Sequence, residues 1–137
     1  MIWHDLVQAV AERLEAHVDA PVRIGGDARV PREEQVQVLR GPGSPLSQWS
    51  QTGRLDQTLY VECWAYDETP DTAYAQLSAL EDAVLSALFD TPISIPQAQV
   101  ILDLGPIEPD GDAFRPSVAS RLTLTAKCRQ KRTLTPG

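Results

Sequence analysis

Chemistry-bearing residues are scarce in this chain of 137 residues, which holds two histidines and two cysteines. His4 and His17 fall on one predicted helix, and at about 1.5 Å of rise per residue they stand nearly 20 Å apart, too far to share a metal. Both read as surface residues. Cys63 and Cys128 lie in separate predicted strands and read as buried thiols of a cytosolic product. A serine or cysteine nucleophile needs a base within hydrogen-bond reach, and no such constellation can be named here. Gly25-Gly26 and Gly41-Pro42-Gly43 are too short and too proline-bound for a phosphate loop. Glu108, Asp110 and Asp112 lack the later glutamate and the run of oxygen ligands of a calcium loop. A hairpin turn around Pro109-Asp110-Gly111 explains them better. These absences predict a protein that is not an enzyme, with no metal and no cofactor.

Long apolar runs are also missing. No stretch of about 18 apolar residues exists, which excludes a membrane-spanning helix. The first residues carry Asp5 and an amphipathic pattern rather than a basic region followed by an apolar block, so no secretory signal is expected. Length and a hydrophobic content of 42% fit one domain with a single core.

Acidic residues are absent from the last part of the chain. All nineteen acids precede residue 113, against six bases, and residues 1–114 sum to −13. From Arg115 onward six bases meet no acid, a net of +6. An acidic body with a basic last strand suits head-to-tail pairing with copies of itself, or a solvated basic terminus. Nucleic acid is a third partner class, although the acidic body would repel it away from the tail.

What is present is periodicity. Trp3, Leu6, Val7, Val10, Leu14 and Val18 share one side of a helix over residues 2 to about 19, which Pro21 should stop. Val22 and Ile24 suggest a short strand, and residues 34–40 a longer one. Leu59, Val61, Cys63 and Ala65 alternate with Thr58, Tyr60, Glu62, Trp64 and Tyr66, the period of a pleated strand. Thr69-Pro70-Asp71 then supplies a helix start, with the Thr69 hydroxyl as the cap. Ala73, Leu77, Leu80, Val84 and Leu88 make the apolar stripe of that second helix. Residues 90–96 read as a linker, and two strands follow around Val100 and Leu124. The whole reads as an α+β domain over residues 1–128: an antiparallel, mainly four-stranded sheet with two helices on one face, in the order α-(β)-β-β-α-β-β. Residues 129–137 read as a polar tail.

Candidate interaction residues stand out against this plain background. With Leu59 to Ala65 facing the helices, Tyr60, Trp64 and Tyr66 would share the other face of the sheet. Aromatics on a polar surface have the composition of an interface core, unless the sheet bends and buries them. Residues 41–54 form an unusually long hairpin loop carrying Leu46, Trp49 and Arg54. Trp49 either folds back on its own domain or inserts into a neighbour. Arg121, Lys127, Arg129, Lys131 and Arg132 make up the basic end.

The order of elements, with the VECWAYDETPDTAYAQLSALEDAVLSAL segment, resembles the tail terminator (tail completion) proteins of long-tailed bacteriophages. The matching residues are Val61 to Tyr66, the turn Asp67 to Asp71, and Ala73 to Leu88, within a match in order from Ile2 to about Lys127. The resemblance implies a structural virion protein without catalytic residues. It would form a homo-oligomeric ring, typically a hexamer, on the end of the tail tube in the virion, after assembly in the host cytoplasm. Its partners would be the tube protein, a head-completion or neck protein, and DNA passing through the lumen. On that reading the aromatic face and the 41–54 arm become subunit or tube contacts, and the basic segment meets an acidic neighbour or DNA. A neck connector shares this size and topology. A small cytosolic domain binding a ligand or partner on its sheet face is the reading from another class, and it predicts a monomer or dimer with a concave pocket.

Overall fold

A computed structural model describes residues 2–26, 29–44, 46–109 and 116–131, less the side chains of residues 46 and 47. Three helices and six strands follow in order: α1 (Ile2–His17), β1 (Val22–Ile24), β2 (Gln35–Gly43), α2 (Leu46–Thr52), β3 (Arg54–Tyr66), α3 (Pro70–Phe89), β4 (Ile93–Ile95), β5 (Ala98–Pro109) and β6 (Ser117–Gln130). All six strands join one sheet in the order β1-β2-β3-β6-β5-β4. β1 runs parallel to β2 and the remaining neighbours pair antiparallel.

The α+β class and the two long helices on one face agree with the sequence reading, and four details correct it. The sheet has six strands rather than mainly four, and one pairing is parallel. The extra strand β4 lies in the stretch read as a linker. The long hairpin loop is mostly ordered: β2 continues through Gly43, and α2 fills residues 46–52. β6 runs two residues into the expected tail, with Arg129 and Gln130 still paired to β5.

The layers follow from strand parity. On β3 the odd-numbered Leu55, Leu59, Val61, Cys63 and Ala65 join the core. Leu6, Val10 and Leu14 of α1, with Leu80, Val84 and Leu88 of α3, complete that core from one side. Burying such side chains is worth about 1.5–3 kcal/mol each, which holds both helices on the same sheet face. Arg13 ties the two helices at their ends: its Nη1 donates to Ala87 O (3.2 Å) and Thr91 O (2.8 Å), and its Nη2 to Pro92 O (3.0 Å). The cap at the start of α3 differs from expectation. The Thr69 side chain makes no cap bond, and Asp67 Oδ1 instead accepts from Thr69 N at 2.8 Å.

The hairpin arm has its own logic. Register slips between Arg40 and Gly43, where Pro42 offers no backbone donor. Gln57 bridges the irregular stretch, its Nε2 donating to Gly41 O (2.7 Å) and Pro42 O (3.3 Å). Gly53 closes α2 in the left-handed region at φ 65°, with its N–H donating to Trp49 O.

Candidate assembly surfaces

The even-numbered residues of β3 face away from the helices, so Tyr60, Glu62, Trp64 and Tyr66 share the open side of the sheet as the alternation requires. They do not form one exposed aromatic patch. Trp64 is 7% exposed, and it lies outside the main core. The connection from β1 to β2 crosses this end of the open side, because two adjacent parallel strands cannot be joined by a tight turn. Ser117 Oγ donates to Pro31 O at 2.6 Å, which fastens that connection over the sheet. Gln35, Ala119 and Ser117, the cross-strand neighbours of Trp64 and Tyr66, are buried with it. Gln37 Nε2 donates to Gln35 Oε1 at 2.7 Å, which pairs two of the polar groups enclosed there. Tyr60 and Tyr66 stay half-buried.

The basic strand β6 lies between two acid-bearing strands, a placement that charge counting could not reveal. Arg121 holds Glu62 of β3 at 2.8 Å and stacks over the Tyr60 ring, 4.7 Å from its centroid. Lys127 holds Asp103 of β5 at 2.7 Å. Asp56 is the cross-strand neighbour of Lys127, and Glu108 that of Arg121. Arg121 and Lys127, two of the six late basic residues, are thereby paired with acids of neighbouring strands. At its far end Arg54 and Arg129 sit directly opposite one another, both exposed, with Lys131 beyond them. Like charges placed so are unfavourable, and among the described residues no ion pair relieves them. Arg132 lies outside the described residues, as do the Leu46 side chain and the Asp110–Asp112 turn. Trp49 is half-buried and packs against the core of its own domain.

Among the exposed Asp, Glu, Lys and Arg residues of the two long helices, all are acids: Glu12, Glu15, Asp71 and Asp82. Burial and the adjacent Asp82 raise the Glu81 carboxyl above its ordinary range. Both cysteines are buried thiols. Burial, then the charge of Glu81, pushes Cys63 up to about 12. Burial, then Asp56, pushes Cys128 up to about 11. Cys63 pairs with Ser120 and Cys128 with Leu55, eight residues or roughly 26 Å apart along β6, which excludes a bridge within the subunit. Among the described residues no group of three or more His, Cys, Asp or Glu side chains could hold a metal. Nor, among the described residues, is any helix long and apolar enough to cross a membrane.

The same fold occurs in a solved assembly. A chain of the "Virion of native gene transfer agent (GTA) particle" superposes with a TM-score of 0.64 at 16% identity, over 92% of this chain and 96% of that one. The two chains share one fold. No protein-family model and no curated protein sequence matches the chain.

Sequence reasoning missed two features. Arg23, Arg29, Arg32 and Glu33 line a cleft of about 730 Å³ beside β1. Ile24, Ile101, Leu104 and Ile107 are exposed on outer strands of the sheet. Three arginines within ten residues were visible in the sequence, but their convergence depends on the connection folding back over the sheet.

Proposed function

We propose that this chain is a structural component of a virion, and within that class a tail terminator. Copies form a ring, a hexamer in the simplest case, on the end of the tail tube. The ring stops tube polymerisation and offers the surface that joins the head, in the virion and during assembly in the host cytoplasm. The observation that carries the reading is the near-complete, two-way overlap with a virion chain, which leaves little of either protein outside the shared fold. The order of elements that resembles the terminator family supports the finer role.

A ring needs two different patches on each copy and a rotation that closes. Tube and neck proteins would meet the ring's two ends. The Arg54, Arg129 and Lys131 corner suits an acidic neighbour, or DNA in the lumen, and Trp49 with Tyr60 and Tyr66 remain candidate contacts. Light scattering of the purified protein over a concentration series, with negative-stain imaging of the large species, tests the proposal. Closed rings with a central hole are expected. A monomer at every concentration that also fails to bind isolated tail tubes would overturn it.

A further inference from the structure

The pairing register carries two rows straight across the sheet, and both end at open edges. On the open side the row is Arg23, Gln37, Glu62, Arg121, Glu108. On the helical side it is Ile24, Val38, Val61, Leu122, Ile107. The three inner residues of the second row are fully buried, yet Ile24 is 53% exposed and Ile107 39%. A core row thus finishes in a bare isoleucine at each side of the sheet. The charged row finishes in a base at one side and an acid at the other, and among the described residues no ion pair holds Arg23 or Glu108.

We infer that β1 of one copy pairs with β5 of the next, Arg23 meeting Glu108 and Ile24 meeting Ile107. The inference rests on the ring reading and names its subunit contact. Among the described residues both edges lack a backbone partner: β1 ends the sheet, and β4 covers only Ala98–Val100 of β5. Open edges of this kind are templates for strand addition. Strand directions agree as well. β1 is parallel to β2, and each later step to β3, β6 and β5 reverses direction, so β1 and β5 are antiparallel. A rotation about an axis along the strands keeps every open side facing the same way. It therefore brings base to acid on one side and isoleucine to isoleucine on the other. The bulge between Leu104 and Ile107 adds one residue to β5 and sets Ile107 on the helical side and Glu108 on the open side.

The test is a chain carrying Ile24→Cys and Ile107→Cys together. Within one subunit these positions are four strand spacings apart, about 19 Å, beyond the reach of a disulfide. The native cysteines are buried free thiols, and the parent chain under the same oxidation is the control for them. The expected result is a ladder of covalent multimers that ends at one closed species, while each single variant, whose thiol faces an isoleucine, stays uncrosslinked. Arg23→Glu or Glu108→Arg alone should abolish the ladder, and the two together should restore it. Rings without a ladder would overturn the edge contact and leave the ring reading standing. A ladder of open chains without rings would support the contact and remove closure. Neither rings nor ladder, free or on tail tubes, would overturn both.

Discussion

Arg13 should be the most costly polar residue to replace in the helical layer. The last carbonyls of any helix lack partners within it. At the end of α3 the Arg13 fork meets Ala87 O, and it also donates to Thr91 O and Pro92 O just beyond the helix, all within 3.2 Å. The bond to Ala87 is part-buried, while the other two lie in solvent. A charged donor in a part-buried bond contributes about 1.5 kcal/mol, and the exposed bonds far less. The favourable placement of a cation at a helix C-terminus adds about 0.3–1 kcal/mol. Arg13→Met, which keeps the aliphatic stem, should then cost about 2 kcal/mol. Arg13→Lys should cost about half of that, since an ammonium keeps the charge but not the fork. With a urea m-value of about 2 kcal/mol/M, the methionine variant should shift the midpoint by about 1 M at unchanged slope. A methionine midpoint within about 0.3 M of the parent, or a lysine variant worse than methionine, would refute the reasoning.

Alkaline pH should destabilise the fold through its thiols. Cys63 and Cys128 titrate near 12 and 11 when folded, above an ordinary value of 9.0, so the folded state holds their protons longer than the unfolded one. Stability is therefore unaffected below about pH 8 and falls as pH rises through 9 towards 11, by up to about 1.4 kcal/mol per pH unit for each thiol. Thermal melts of Cys63→Ala between pH 8 and 11 should show a shallower decline than the parent, and parallel declines would count against burial as the cause. At the other end of the sheet, Arg129→Glu should raise the melting temperature at low salt by turning the Arg54 contact attractive. The gain should vanish at 1 M salt, and a salt-independent change would point to some other cause.

Legibility in the sequence tracked element length. β3 and α3 each show their period over four or more repeats, and α1 nearly so, because a half-buried surface imposes alternation on any strand or helix long enough to display it. β4, at three residues, is too short to show a period and was read as a linker, whereas the equally short β1 was legible only as the pair Val22 and Ile24. α2 sits in a stretch rich in glycine, proline and serine, and packing of Trp49 on the core, rather than propensity, accounts for it. The Thr69 cap was misread because Asp67, two residues before, reaches the same turn.

The sequence by itself determined which residues of each long element face the core, and that Tyr60, Trp64 and Tyr66 share the other face of their strand. Those are consequences of local periods of 2 and 3.6, which need no knowledge of what lies nearby. Only the tertiary structure decided what the open side presents. The β1–β2 connection is fastened over the sheet end that holds Trp64, and strand order sets β6 between acid-bearing β3 and β5, so Arg121 and Lys127 are paired while Arg129 is left opposite Arg54. It also decided that Arg23 and Glu108 lie level with one another at opposite edges. Strand order and register are agreements between segments far apart in the chain, set by the summed fit of many side chains, and no single stretch of sequence contains them.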